Sequence, residues 1–457
     1  MAETAANKPA DGNHAPLKAV SNVHFYHFVD QGIDVEWGDN ERTCTSLSVA
    51  SHDGHLEEVK YLVGQETQID KLKDDIVAAV HAASCEGHLD IVQYLVGQGA
   101  EVERGDRDGN TPLHVASHNG HLEVVKYLVS QEAQIEKLND LLWTPVHHAS
   151  RKGNLDIVQY LVGRGAQFDR GDSYGHTPLF TASCRGHLQV VQYLVGQGAQ
   201  VERGNIEGTT PLSLASFWGR LDVVEYLVGQ GAQVERGDNN DATPLHFASL
   251  NGHLEVVKYL VGQNAQIDKL NVNVCTPLYW ASSKGHVDVV EYLIGQGAQV
   301  ERGNNSGDTP VLVASRNGHL GVVEYLVGQG AQVERGNNDG DTPVLVASRN
   351  GHLGVVEYLV GQGAQVERGN NDGDTPVLVA SRNGHLGVVE YLVGQGAQVE
   401  RGNNAGDIPL VVASRNGHLD VVQYLTSEQA QMKEAPPEVC VLKETDTRLT
   451  RTRFESK

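Results

Sequence analysis

Twenty-one histidines and five cysteines are the residues of this 457-residue chain with the most evident chemical potential. His114, His118 and His121 lie close together, and the i, i+4 pair among them can share a helix face, as a zinc site requires. Two of the three nevertheless belong to series. His114 has counterparts in His147 and His246, and His121 is one of ten histidines that directly follow the glycine recurring every 33 residues. A ligand set has no reason to be copied along a chain, so no metal and no cofactor is expected. Cys44, Cys85, Cys184, Cys275 and Cys440 are scattered and odd in number, without metal spacing, which fits a reducing compartment better than a disulfide framework. None recurs beside a histidine and a base, and no Gly-x-Ser-x-Gly elbow is present. The glycine-rich "GQGAQVERG" lacks the G-x-G-x-x-G spacing of a phosphate loop and follows a helix instead of opening one. Arg-Gly-Asp at 104–106, 170–172 and 236–238 spells an adhesion tripeptide, but the same slot elsewhere reads Arg-Gly-Asn. Asn304-Asn305-Ser306 matches a glycosylation acceptor through the same turn composition. The sequence supports no active site, and a non-enzymatic protein is expected.

Charge excludes further classes. A net charge of −23 should repel nucleic acid and anionic lipid, and it biases a protein partner toward basic character. The first twenty residues hold no apolar stretch of signal-peptide length, and no apolar run long enough to span a bilayer occurs anywhere. A cytoplasmic protein, with nuclear residence open to it, and a monomer are the expectations.

The elements that position all these residues are set by repetition. Glycine recurs every 33 residues from Gly54 to Gly417, twelve times in all, and Thr-Pro keeps the same phase from Thr111 to Pro376. Residues 336–368 are spelled again, unchanged, at 369–401. In residues 106–138, Thr111 is a good N-cap and Pro112 sits at the first helical position, where its missing N–H costs nothing. "LHVASHN" then makes about two turns, and Gly120 ends them in the left-handed conformation that glycine tolerates. "HLEVVKYLVS" begins a second helix with Leu122, Val125, Leu128 and Val129 on one face. Helices this short cannot bury their apolar faces alone, whereas stacked copies cover one another.

The period, with "DGNTPLHVASHNGHLEVVKYLV" as its fullest statement, resembles the ankyrin repeat over about residues 40–431. The resemblance implies an all-α solenoid of hairpin–helix–helix units, with hairpin tips and first helices lining a concave binding face. It also implies that the histidine of Thr-Pro-Leu-His bonds to nearby backbone. Departures occur in the first two units ("TSLS", "AAVH"), in the twelfth ("IPLV"), and in "QVERG", whose Glu stands where the family usually has Asn. The organisation expected is a disordered stretch at 1–20, a capping half-repeat at 21–39, twelve repeats at 40–431 and a disordered tail at 432–457. Within that tail, Thr450 and Thr452 beside arginines have the look of kinase targets.

In family terms the groove-facing positions are the hairpin residues and the last two residues before the first-helix glycine. They are monotonous in repeats nine to twelve and varied in the middle. Repeat four offers Leu141, Trp143, Arg151 and Lys152, and repeat five offers Ser173, Tyr174, His176 and Arg185. Repeat six offers Ile206, Phe217 and Trp218, and repeat eight offers Val272, Tyr279 and Lys284, with Trp280 assigned to the core. Exposed aromatics beside Arg and Lys have the composition of a binding hot spot. The expected function is a scaffold or adaptor that holds a protein partner in the groove. The alternative is a regulatory or targeting subunit of a larger assembly (a ubiquitin ligase, kinase, channel or membrane–cytoskeleton link) whose effector is a separate chain.

Overall fold

The computed structural model describes residues 45–65 and 69–434. The expected disordered stretch at 1–20, half-repeat at 21–39 and all but the first three residues of the tail at 432–457, with Thr450 and Thr452, lie outside the described residues; residues 432–434 are not disordered but end the helix Leu419–Glu434. Among the described residues there are 24 helices and no strand. They alternate as a first and a second helix joined by tight turns, the arrangement of an ankyrin solenoid. The chain divides into two compact units, one comprising residues up to 116 with 123–133, the other residues 117–122 with 134 onward.

In the second unit, residues 304–336 show how the unit is built. Thr309 Oγ1 accepts from Leu312 N at 3.4 Å, and Pro310 opens the helix Pro310–Arg316. Gly318, at φ +78°, turns the chain into the helix Leu320–Gly328. The first helix has only seven residues, and six of them, Pro310 to Ser315, are buried. No isolated helix of that length is stable in water. It persists because its neighbours Pro277–Lys284 and Pro343–Arg349 pack against it from both sides. Each buried Val or Leu then contributes about 1.5–3 kcal/mol against the entropy of ordering. The second helix buries one stripe, Val322, Val323 and Leu326.

The first unit departs from the pattern. Residues 69–86 form one helix of 18 residues, with no hairpin and no Thr-Pro start. "IDKLKDDIVAAVHAASCE" contains neither Gly nor Pro and includes four Ala and two Lys, so nothing breaks the helix where later units place their turn. The repeat's local chemistry, and not only its period, creates the hairpin.

Candidate functional site

Four sets of bonds join successive layers of the second unit, and they account for most of the residues with apparent chemistry. The histidine after each first-helix glycine reaches back to the previous layer. Nε2 of His187, His253, His319, His352 and His385 meets the carbonyls of Arg151, Phe217, Ser283, Arg316 and Arg349 at 2.9–3.1 Å. Each thereby satisfies a carbonyl at the end of a first helix that has no partner within that helix. Where the histidine is missing, Asn154 Nδ2 donates to the Ser117 and His118 carbonyls, and Arg220 Nε donates to the Cys184 carbonyl. The ring also packs on the glycine of the layer before: a Cβ on Gly318 would stand 2.6 Å from His352 Nδ1. Burial holds His187, His253 and His319 below the ordinary histidine range, as suits neutral rings that donate to carbonyls.

The second set explains the unusual glutamate of "QVERG". Glu301 Oε1 accepts from the Gln332 backbone N–H at 2.8 Å, and its Oε2 pairs with Arg335 at 3.0 Å; Glu334 and Glu367 repeat the arrangement with the layers that follow. The third set is a ladder along the turns. Ile206 N donates to the Tyr174 carbonyl at 3.0 Å, Asn239 N to Glu207, Val272 N to Asn240, and Asn338 N to Ser306.

The fourth set is the Asx residue that begins each turn. Asn337 Oδ1 accepts from Asp339 N and Asp341 N, and Asp172 Oδ1 accepts likewise from Tyr174 N and His176 N at 2.8 Å. The aspartates of Arg-Gly-Asp at 172 and 238 are buried in such turns and are not displayed. Their alternation with asparagine follows from the second side-chain atom, which faces the previous layer. Asp172 Oδ2 accepts from Trp143 Nε1 at 2.8 Å, whereas Asn337, Asn370 and Asn403 donate to the carboxylates of Asp308, Asp341 and Asp374. In these four contacts the donor of the preceding layer faces Asp, and the acceptors face Asn. Burial alone would raise the Asp172 carboxyl, but bonds from His176 and Trp143 outweigh it and hold the group below the usual range.

The histidines of Thr-Pro-Leu-His are likewise committed. Thr243 N–H donates to His246 Nδ1 at 3.1 Å, so Nε2 carries the proton and meets the Cys275 carbonyl at 3.1 Å. Full burial depresses His246 to about 4. His114 and His147 accept from Thr111 and Thr144 in the same way, and no three metal-ligating side chains converge among the described residues.

Against this frame of bonds, one pair of slots changes from layer to layer: the last turn residue, and the first-helix residue eight positions later. In 304–402 the pair is Asp308–Arg316, Asp341–Arg349 and Asp374–Arg382, each bidentate, at 2.6–2.9 Å. In 139–303 it is Trp143–Arg151, His176–Cys184, Thr209–Phe217, Ala242–Leu250 and Cys275–Ser283. Arg151 lies over the Trp143 ring at 5.4 Å, a cation–π contact in place of an ion pair.

The candidate residues divide accordingly. Lys152, Tyr174 and Lys284 are exposed, and Arg151, Arg185 and Trp218 are half-buried. Trp143, Phe217 and Tyr279 are buried, which corrects their placement on the surface. Trp143 is held by Asp172, Arg151 and the rings of His147 and His148. Phe217 packs edge-to-face on Trp218 and Phe247. Tyr279 occupies the slot of His246 in the layer before, accepts from Asn304 Nδ2 at 3.1 Å and packs with Cys275 and Val313. Trp280, assigned to the core, is only partly buried against that cluster. The phase of the repeat could have placed Tyr279, because it stands where His114, His147 and His246 stand.

The sequence carried no sign of the positive backbone angles in the turns of 139–303, and of their exposed apolar residues it pointed to Tyr174, Ile206 and Val272 but not to Leu142. Leu142, Asp241 and Val274 hold positive φ (61°, 58° and 60°) at the fourth turn position, where the copied layers keep Gly340 and Gly373. That conformation is unfavourable for Leu and especially for Val, by about 1–3 kcal/mol each. Leu142, Tyr174, Ile206 and Val272 are also exposed, Ile206 by 64%. Among the described residues, the other exposed large hydrophobics are Val49, Tyr61, Val411 and Leu419, which belong to the outermost described layers. Every exposed large apolar residue between those layers therefore sits on a turn of 139–303. Tyr174 continues inward as a stack, 5.7 Å to His176 and from there 4.5 Å to Phe180.

Comparison with known proteins agrees with this geometry. The family described as "Ankyrin repeats (3 copies)" matches residues 17–106, 80–172, 165–238, 231–304, 296–370 and 362–435. No curated protein matches the chain. Among solved structures, the human ASB11 ankyrin repeat domain is similar at 29% identity, covering 50% of this chain and 99% of that one, with a TM-score of 0.45. No described helix is long and apolar enough to cross a membrane. The period, the layer-to-layer bonds and a family match running from residue 17 to residue 435 lead to one statement: the chain belongs to the ankyrin repeat family.

Proposed function

We propose that this chain is a non-enzymatic scaffold or adaptor that seats a protein partner on the turns and first helices of residues 139–303. Ankyrin repeats are in general protein–protein interaction modules, and the finer assignment rests on one observation. The exposed apolar residues Leu142, Tyr174, Ile206 and Val272 gather on the turns of that region, while the copied layers present Asn338, Asp339 and Gly340, and again Asn371, Asp372 and Gly373, at the same places. Solvent alone gives no reason to expose them, and a partner surface does. The strained Leu142 and Val274 point the same way, since strain retained at a surface turn indicates a constraint other than stability. The buried thiols Cys184 and Cys275, the latter pushed up to about 12 by burial, suit a reducing, cytoplasmic setting.

The test is cross-linking capture from native lysate with wild type, with Tyr174→Ala/Ile206→Ala, and with Asn338→Ala/Asp339→Ala as control. Loss of specific partners in the first variant alone is expected. Equal recovery by all three, with both variants folded by circular dichroism, would refute the assignment.

A further inference from the structure

Independently of the interaction reading above, we propose that residues 439–442 of this chain, Val-Cys-Val-Leu, fold back onto the open end of the last described layer and close the stack.

The copied layers supply the control. In the helix Pro376–Arg382 six residues, Pro376 to Ser381, are buried, because the helix Pro409–Arg415 packs on it from the next layer. In Pro409–Arg415 itself only Pro409, Val412 and Ala413 are buried. Val411 is 43% exposed where Leu345 and Leu378 are fully buried, and Ser414 is exposed where Ser348 and Ser381 are buried. Leu419 is 77% exposed, and Val422 is half-buried where Val356 and Val389 are wholly covered. The outermost repeat of a solenoid needs a polar outer face to stay soluble. This one keeps the face of an internal repeat, with Leu410 and Val411 on the first helix and Leu419 and Val422, three residues apart, on the second. Such a face calls for an apolar cover.

The chain carries a segment that fits. In the copied layers the second helix ends at Gly361 and Gly394, and Gly363 and Gly396, at φ +94° and +93°, turn the chain toward the next hairpin. Ser427 and Gln429 replace the corresponding glycines in the last layer, and the helix runs on to Glu434. Residues 435–457 contain neither glycine nor Thr-Pro, so they do not spell another unit. Pro436 and Pro437 lack the N–H that would continue the helix, and Val439-Cys440-Val441-Leu442 follows directly as the one consecutive apolar run of this stretch. Reach agrees with composition. From Glu434 back to Val422 and Leu419 the helix measures about 18 and 22 Å, at 1.5 Å per residue. An extended return at about 3.3 Å per residue brings Val439 about 16 Å back and Leu442 about 26 Å back. The run therefore spans the uncovered residues of the second helix.

Cys440 lies within the run and reports on it. In the full chain, alkylation of Cys440 by iodoacetamide, resolved from the other cysteines by peptide mass spectrometry, should be at least about tenfold slower than in a synthetic peptide of residues 435–457. That protection should not depend on protein concentration. Val439→Asp/Leu442→Asp and, separately, Leu419→Asp should each return Cys440 to the rate of the peptide with the matching sequence. Both should also speed hydrogen exchange in 408–422 while leaving 336–402 unchanged, which shows that the layers beneath remain folded. Leu419 is exposed and the other pair lies beyond the described layers, so neither change removes a buried side chain. Cys440 reacting at the peptide rate in wild type, or protection that neither variant moves, would overturn the proposal. Protection found only at concentrations where sedimentation shows a dimer would overturn it too, because a second copy would then hold the face.

Discussion

Residues 139–303 and residues 304–402 share one frame and use it differently. In the later region the slot pair is always Asp and Arg, the fourth turn position is always glycine, and the exposed turn residues are Asn, Ser and Asp. In the earlier region the same pair runs from Trp–Arg to Ala–Leu, two apolar residues accept positive φ, and apolar side chains face solvent. The stacking bonds through the histidines are common to both, so the contrast isolates what stacking requires from what it leaves open. The copied layers hold the solution that best satisfies the fold. The varied layers give up some of that satisfaction, as the proposed partner surface would require.

The sharpest way to break the comparison is Asp341→Ala, which leaves Arg349 and Asn370 facing an apolar slot. The cost should be about 3 kcal/mol in the last layers, read by hydrogen exchange or denaturant melts. Adding Arg349→Leu recreates the Ala242–Leu250 pair of the earlier region and should recover most of the loss. If the double variant is as unstable as the single one, the slots are not interchangeable pairs.

A smaller effect separates the regions by pH. His246 has a folded value near 4, below its unfolded 6.5, so its stabilisation is complete above 6.5 and is lost as pH falls toward 4. At pH 5 the loss is about 2 kcal/mol. Layers 304–402 place Leu312, Leu345 and Leu378 in that slot and carry no such dependence there. His246→Phe, which borrows Phe180 from the same slot two layers earlier, should therefore reduce the fall in melting temperature between pH 7.5 and pH 5. An unchanged fall would assign the acid sensitivity to the Gly-His rings.

The smallest pair of effects tests the common frame. Gly318→Ala meets both a φ of +78° and the His352 ring, and should destabilise by about 1–2 kcal/mol. Gly328→Ala, at the end of the second helix with open space around it and no positive φ, should stabilise by up to about 1 kcal/mol. Thermal melts of the two single variants should shift in opposite directions.

Much of this was legible in the sequence, because the repeat states its own helix signals. Thr-Pro starts, glycine stops and the Val-Leu stripe are local chemistry, and local chemistry is readable one residue at a time. The candidate site was legible only as a region. Tyr174, Lys152 and Lys284 proved exposed, whereas Trp143, Phe217 and Tyr279 turned inward, since side-chain direction at a turn or helix end depends on what the adjacent layer offers. Asp172 takes in the Trp143 indole, and Phe247 receives Phe217. Leu142 was passed over as a turn residue, although its exposure, like that of Ile206, is among the clearest departures of this face from the copied layers.

By itself the sequence determined the period and the helix pair within it, because both follow from residues near one another in the chain. Only the tertiary structure decided why Gly and His travel together, why Asn and Asp alternate at the start of each turn, and which aromatics reach solvent. Those answers come from partners about 30 or more residues away in sequence and one layer away in space, where a glycine makes room for the next layer's ring and a donor selects the next layer's acceptor.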